Sequence, residues 1–501
     1  MLHLAGGFGK LKEKGGIVLE YRITVLPEGR EIVAQAGAIL LDVLRDAGCF
    51  VDAPCGGRGK CGKCTVSVDG VPVRSCHYVV GSDATVTLPE QEPLQILEQG
   101  SGSREEGSGR GYVVAFDIGT TTVVCALLDA DGKTLAVESM ANPQAAYGAD
   151  VVSRIGQALK GQERTMTALI RKAMAQLLED NCAAAALDPA KIETVSVVGN
   201  PCMQQLFLGI PVDNLAAVPF VPVITEAKTV PAKEYLSLCP NARLLIVPDI
   251  GGFVGADTLG CILASGIHEG TDTVLLVDIG TNGEMVLCHR SRMVACATAA
   301  GPALEGANIS CGMRAASGAI DHVSMDSIHV IGEGKARGIC GSGLMDAVAV
   351  MLEKGILNRR GRVLTENHDY EIADGVSLTQ EDIRQVQLAK GAIAAGIELM
   401  AAHLEIRVDD IDRCILAGAF GSYLDPNSAC RIGLLPESLR GKITAAGNLA
   451  LEGAKLLSTD ETRLALAQQL TERVEYLELA SQPGFQRSFA RNMFFWEESH
   501  G

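Results

Sequence analysis

Asp278-Ile279-Gly280-Thr281-Asn282-Gly283-Glu284 is the stretch that decides the fold. It follows the apolar run Val274-Leu275-Leu276-Val277 and leads into Met285-Val286-Leu287, so it reads as strand, glycine turn, strand. Such a turn presents backbone N–H groups and a threonine hydroxyl, a set suited to a phosphate. The aspartate that closes the first strand can hold a hydrated Mg²⁺ beside that phosphate. One Asp-Gly hairpin is weak evidence, but the unit recurs. Asp117-Ile118-Gly119-Thr120-Thr121-Thr122 follows Val113-Val114-Ala115-Phe116 and precedes Val123-Val124-Cys125-Ala126-Leu127-Leu128, 161 positions earlier. Two copies at this distance imply an internal duplication, with two turns gripping one nucleoside triphosphate from opposite sides of a cleft.

The pair of turns resembles the phosphate-1 and phosphate-2 turns of the actin-like ATPase superfamily, which includes acetate and sugar kinases and heat-shock chaperones. Further on, Cys414-Ile415-Leu416-Ala417-Gly418-Ala419-Phe420-Gly421 reads as a strand ending in a glycine turn, similar to the superfamily's adenosine motif. The resemblance implies a duplicated α/β fold over 112–501, with halves at about 112–270 and 271–501. It implies ATP held by Gly119, Thr120, Thr121 and Thr122 on one side and by Gly280, Thr281, Asn282 and Gly283 on the other. Gly418, Ala419 and Gly421 would lie near adenosine, and Asp117 and Asp278 would position Mg²⁺ and the attacking water as the catalytic pair.

Other elements fit an alternating α/β chain. Tyr147 to Leu159 and Thr165 to Ala185 read as helices, and Thr194–Val198 and Leu244–Val247 as buried strands. Asp249 ends the second of these strands and either reaches the metal or caps the following helix. Gly301-Pro302-Ala303-Leu304-Glu305-Gly306 opens a helix with a glutamate in its first turns. Gln380 to Glu405 carries a long stripe that includes Ile383, Val386, Ala389, Lys390 and Ile393.

The 501 residues allow about three domains. A net charge of −17 argues against a general nucleic-acid binder. No apolar run approaches the ~18 residues of a membrane span, and 1–16 carries no apolar core of a signal peptide. A cytoplasmic protein is expected, in which the 16 cysteines are thiols or metal ligands rather than disulfides.

Ahead of the ATPase region, Tyr21–Leu26 alternates as a strand, Glu31–Ala34 is a candidate hairpin partner, and Ile39 to Ala47 has helical spacing. Short strands are expected at Thr65–Val68 and Thr85–Leu88. Cys55, Cys61, Cys64 and Cys76 stand in a C-x5-C-x2-C-x11-C pattern among Gly56, Gly57, Gly59 and Gly62. Four thiolates on a glycine-rich loop can hold a [2Fe–2S] cluster, with Arg58, Lys60 and Lys63 offsetting its charge. Structural Zn²⁺ is the competing reading, though zinc sites usually pair two C-x2-C knuckles and only one is present. The loop resembles that of [2Fe–2S] ferredoxins, with a spacing that departs from the plant type, and a β-grasp domain is expected over 17–97. Residues 98–111 hold only glycine, serine, glutamate, glutamine and arginine, which makes them a flexible linker and the cluster domain a mobile one.

A cluster domain fused ahead of an actin-like ATPase resembles the ATP-dependent reductive activators of corrinoid proteins. So do Asn142-Pro143-Gln144, Tyr147 to Ile155, Gly301 to Gly306, Gly318-Ala319-Ile320, Ile339 to Gly343, Gln387-Leu388-Ala389-Lys390 and Phe489-Ala490-Arg491-Asn492-Met493. The resemblance spans roughly 20 to 495. It implies a corrinoid protein of a methyltransferase system as partner, an external low-potential electron donor, and a homodimer. The activator would return inactive Co(II) to Co(I). That step is uphill for a donor near about −400 mV, each 100 mV being about 2.3 kcal/mol, so ATP must favour one cobalt state over the other. Members of this family carry a further domain between cluster and ATPase, for which 98–111 leave no room. Cys340 beside Gly341-Ser342-Gly343 invites comparison with activators of 2-hydroxyacyl-CoA dehydratases, although a small buried residue is the plainer reading. The same fold would also accommodate a metabolite kinase with a regulatory cluster, or a redox-sensing binding module that holds nucleotide without cleaving it.

Overall fold

The computed structural model describes residues 19–49, 51, 53, 57, 59, 62–89, 111–280, 282–306, 308–421, 423–460 and 462–495. The linker at 98–110, Cys55, Cys61 and Thr281 lie outside the described residues. The chain divides into two compact units, one formed by the residues before 93 together with Ala145–Ala149, the other by the rest.

In the first unit, β1 (Glu20–Leu26) and β2 (Arg30–Gln35) form a hairpin, and α1 (Leu40–Asp46) follows. Next come β3 (Thr65–Val68), β4 (Val71–Arg74) and β5 (Ala84–Thr87), in a five-stranded sheet of order β2-β1-β5-β3-β4. Strand alternation points Ile23 and Val25 inward, where they meet Leu40, Leu41 and Leu44 of α1. This is the expected β-grasp plan. The strand β4 is not anticipated from sequence because it contains Pro72. It is an edge strand, where a missing N–H costs little.

The second unit contains one plan twice. The first copy has β6 (Tyr112–Ile118), β7 (Thr122–Leu128), β8 (Thr134–Ala141), α2 (Val151–Gln157), α3 (Glu163–Ala184), β9 (Ile192–Gly199), α4 (Pro201–Leu208), β10 (Lys228–Pro231), β11 (Arg243–Ile246) and α5 (Ala256–Ser265). Its sheet order is β10-β11-β9-β6-β7-β8. The second copy opens with β12 (Val274–Ile279), β13 (Gly283–His289) and β14 (Arg292–Thr298). A three-stranded sheet follows, made of β15 (Ala319–Val323), β16 (Ile328–Val330) and β17 (Gly338–Ile339). Then come α6 (Gly341–Glu353), the hairpin β18 (Asp369–Ala373) and β19 (Val376–Thr379), and α7 (Gln380–His403). The copy closes with β20 (Arg413–Ala417), α8 (Gly418–Gly421), α9 (Pro426–Arg431), β21 (Ile443–Ala445), α10 (Leu449–Thr459), α11 (Thr462–Arg473), β22 (Val474–Tyr476) and α12 (Phe485–Asn492). Its main sheet has the order β21-β20-β12-β13-β14-β22.

In each copy three antiparallel strands are followed by strands parallel to the first, β6 beside β9 and β12 beside β20. The copies differ at their edges, where β10 extends one sheet beyond β11 and β22 extends the other beyond β14. One helix from each copy, α5 and α10, press together backbone to backbone: a Cβ on Gly453 would lie 2.2 Å from the Gly260 Cα. Leu259 and Ile262 of one half and Leu451 and Leu457 of the other share one core.

Two expected helices differ in the structure. The segment expected as a helix from Tyr147 to Leu159 begins only at Val151, because the Asp150 side chain caps it by accepting from Ser153 N at 2.7 Å. The Gly301–Gly306 stretch forms one 3₁₀ turn, Pro302–Glu305, which left-handed Gly306 (φ 77°) terminates.

Candidate functional site

Both aspartates of the repeated motif end a central strand, Asp117 opposite Val198 and Asp278 opposite Ala417. The first turn is held from beneath. Asn142 Nδ2 donates to the Gly119 carbonyl at 2.8 Å, and the buried Arg154 donates to the Thr120 carbonyl. Thr120 is buried, and its hydroxyl accepts from Asn200 Nδ2 at 3.1 Å. Thr121 turns the other way, its hydroxyl donating to Glu305 Oε2 of the second half at 2.6 Å. Thr122 begins β7. A side chain at Gly119 would strike the Thr122 carbonyl at 2.7 Å, which is why the turn takes glycine there.

In the second turn, Gly280 N donates to the Asn282 carbonyl at 3.1 Å. Gly283 is buried against Thr298 and Ile393. Gly418 follows β20 with φ 86°, and a Cβ there would lie 2.5 Å from Asp278 Oδ1. Gly418 therefore makes room for the Asp278 carboxylate, whereas the sequence places it only beside adenosine. Gly421 packs on Leu416, and Ala419 lies between them in α8.

The two aspartates share one environment. Burial pushes the Cys261 thiol well up, and Asp278, Asp257 and Asp117 add to the effect in that order. Cys261 Sγ lies 3.6 Å from Asp278 Oδ2. Burial pushes the Asp278 carboxyl up to about 6 and Asp257 up to about 7. Glu284 and Asp249 are raised well above the carboxylate range, again chiefly by burial. Acids in this position gain from a cation that neutralises them. Among the described residues no three His, Cys, Asp or Glu side chains form a metal cage. Mg²⁺ that accompanies a nucleotide takes only one or two carboxylates and fills its remaining positions with phosphate and water.

Sequence reasoning misses Asn448. Its Oδ1 caps α10 at Leu451 N (3.0 Å) while its Nδ2 donates to Asp117 Oδ2 (2.9 Å), so one amide serves two purposes. The Asn before an apolar helix signals the cap, but nothing local signals the aspartate 331 residues away. Asp249 does not take the cap position of α5, which belongs to Gly255. Its carboxylate nevertheless faces the Ala256 N–H at the start of that helix, as a capping acid does, and its Oδ1 also accepts from Gln204 Nε2 at 3.2 Å.

Of the four cysteines expected to hold a cluster, Cys64 and Cys76 are described. Their sulfurs lie 3.2 Å apart, beyond a disulfide's ~2.05 Å, so the two are unbonded thiols brought to one place. The loop that approaches them turns through left-handed Gly57, Gly59 and Gly62. A Cβ on Gly59 would fall 2.1 Å from His77 Nε2. Arg45 of α1 is buried beside this loop. Its Nη1 pairs with Asp42 at 3.2 Å, while Nε and Nη2 have no hydrogen-bond partner among the described residues. A buried, half-satisfied cation near Cys64 suits an anionic cluster, so the residues present fit the group.

Three family models match in sequence. The 2Fe-2S iron-sulfur cluster binding domain covers 23–94, the RACo middle region 112–270, and the C-terminal domain of RACo, the ASKHA domain, 272–501. The corrinoid activation enzyme RamQ of Eubacterium limosum is 33% identical over 419 residues, 77% of this chain and 70% of that protein. The chain belongs to the RACo family. A second relative, the [Co(II) methylated amine-specific corrinoid protein] reductase of Methanosarcina barkeri, is 27% identical over 431 residues, 77% of each chain. A solved structure described as a reductive activator for corrinoid, iron-sulfur protein superposes with a TM-score of 0.71 at 27% identity, covering 95% of this chain and 98% of that one.

The RACo match supports a [2Fe–2S] cluster over zinc and ATP binding in an actin-like domain. It also revises the expectation that the chain has no room for a further family domain. The middle-region model falls on 112–270, the half that carries the first turn. Cys340 is a buried structural thiol, its Sγ 3.4 Å from the Ile320 carbonyl. The motif stretches far from the nucleotide turns also find a structural role. Gln387 Nε2 donates to the Met493 carbonyl at 2.8 Å, and buried Lys390 donates to the carbonyls of Asn492 and Phe494, so α7 anchors α12.

Proposed function

We propose that this protein is an ATP-dependent reductive activator that passes an electron from an external low-potential donor to the inactive Co(II) corrinoid protein of a methyltransferase system, yielding Co(I). The observation that carries the reading is the union in one chain of a RACo-type ATPase, with its two half-buried strand-end aspartates in one acidic environment, and a 2Fe-2S domain. Cys55, Cys61, Cys64 and Cys76 hold the cluster, which when bound supplies a one-electron relay. Asp117 and Asp278 hold Mg²⁺. The backbone of the two glycine turns and the Thr121 hydroxyl bind the phosphates, and Gly418, Ala419 and Gly421 border the adenosine. Residues of both halves contact both turns, so nucleotide binding favours one arrangement of the halves. Only a difference in partner affinity between such arrangements lets ATP drive an unfavourable electron transfer. The activator works in the cytoplasm as a homodimer. No helix among the described residues is long and apolar enough to cross a membrane.

The test is anaerobic. The cluster-loaded protein is mixed with a Co(II) corrinoid protein and a low-potential reductant, and the visible spectrum is followed with and without Mg-ATP. Co(I) bands that appear only with Mg-ATP support the reading. Their absence with several corrinoid proteins, the cluster being intact, rejects it.

A further inference from the structure

Glu305 belongs to neither the glycine turns nor the pair of strand-end aspartates, yet its carboxylate lies between the two turns. Oε2 accepts the Thr121 hydroxyl of the first turn at 2.6 Å. Oε1 lies 3.7 Å from where a Cβ on Gly280 of the second turn would stand. Glu305 is also close enough to Asp278 to add to the upward shift of that carboxyl, after burial. The residue sits at the end of the single 3₁₀ turn Pro302–Glu305, bracketed by Gly301 (φ 76°) and Gly306 (φ 77°).

The Thr121 hydroxyl has one proton to donate. In the nucleotide-free protein Glu305 takes it. A phosphate bound at the first turn competes for the same proton with its own oxygens and repels the carboxylate. Nucleotide binding therefore exchanges the Thr121–Glu305 bond for a Thr121–phosphate bond. Released from the threonine, the carboxylate would take a water molecule as its donor instead.

We propose that Glu305 is the general base for ATP hydrolysis, and that the Thr121 hydrogen bond holds it in reserve until phosphate arrives. This inference rests on the ATPase reading. Water oxygen forms a bond to the γ-phosphorus while the bond from that phosphorus to the bridging oxygen breaks, and ADP leaves with the electron pair. The water proton passes to the Glu305 carboxylate and then to solvent. Asp117 and Asp278 remain Mg²⁺ ligands, which separates metal binding from proton removal.

The experiment uses the full chain with its cluster, measuring Mg-ATP binding by calorimetry and phosphate release in the presence of the corrinoid partner. Glu305→Gln should bind Mg-ATP at least as tightly as the parent, because a negative charge beside the γ-phosphate is gone. Its turnover should fall about 100-fold or more, the range of a lost general base. Glu305→Ala with added formate should recover turnover in proportion to formate, which a purely structural side chain would not allow. Glu305→Gln turning over at the parent rate, or Glu305→Ala that binds Mg-ATP but gains nothing from formate, overturns the proposal. A parent protein that hydrolyses no ATP overturns the ATPase reading instead, so the two failures are distinct.

Discussion

Gly418→Ala tests the site at the point where fold and chemistry touch. Gly418 has φ 86°, a left-handed conformation in which alanine costs roughly 1 kcal/mol. The added Cβ would stand 2.5 Å from Asp278 Oδ1 and 3.2 Å from the Ile279 carbonyl. The backbone carbonyl is fixed by the β12–β20 pairing, Asp278 opposite Ala417, so the carboxylate must yield. To restore an ordinary contact it retreats by about 0.9 Å. Displacing a catalytic group by ~1 Å is worth up to about 100-fold in rate. Stability should fall by ~1–3 kcal/mol, a few degrees in Tm for a domain of this size. Gly266→Ala is the companion variant. Gly266 has φ 64° but nothing within 4 Å of its added Cβ, so it carries the backbone cost alone. The assay is Mg²⁺-dependent ATP turnover beside thermal unfolding of both variants. The expected result is loss of stability in both, the smaller in Gly266→Ala, with loss of turnover only in Gly418→Ala. Equal turnover in the two would refute the claim that Gly418 exists to make room for Asp278.

Three further outcomes follow from single contacts. Asn448→Asp keeps a good helix cap but places a like charge where Nδ2 now donates to Asp117 at 2.9 Å; unfolding should change by less than about 1 kcal/mol while Mg-ATP affinity, measured by calorimetry, drops tenfold or more. Arg45→Met removes the buried cation beside the cysteine loop, so redox titration should find the cluster harder to reduce by tens of mV, on the order expected for one charge in a partly screened interior. Burial pushes the Lys390 ammonium down to about 7, far below its unfolded value; between about pH 7 and 10 the unfolded chain then holds a proton the folded chain lacks, so stability rises with pH by up to ~1.4 kcal/mol per unit, and the Tm of the parent should rise relative to that of Lys390→Met from pH 7 to 9.5.

The fold is legible in the sequence because its decisive signals are local. An apolar run ending in Asp-Ile-Gly-Thr fixes a strand and its turn, and finding it twice fixes the duplication, which the matched orders of the two sheets bear out. The apolar stripe from Gln380 is α7, which the structure starts with a Thr379 cap and its Asp382 partner. Signals that depend on a partner across the chain are not legible. Glu305 is visible as a residue near a turn, but its bond to Thr121 joins positions 184 apart. Lys390 sits in an apolar stripe that gives no reason for a lysine. The reason is a pair of carbonyls at the end of α12, 102 and 104 residues on. The helix expected at Gly301–Gly306 does not form because two positive-φ glycines confine it to one turn.

The contacts within the proposed nucleotide site run crosswise. Asp117, in the first half, is held by Asn448 of the second, and Thr121, in the first, by Glu305 of the second. Asp278, in the second half, meets Cys261 of the first. Neither aspartate is held by its own half alone, and α5 and α10 join the halves glycine against glycine within one shared apolar core. A ligand that replaces these hydrogen bonds with bonds to phosphate and Mg²⁺ therefore changes what joins the halves as well as what fills the site. An ATPase whose bond-breaking groups were confined to one half could hydrolyse nucleotide without moving anything. In this arrangement, binding and release of phosphate would each remake contacts between the halves, as the proposed use of ATP to change the grip on a partner requires.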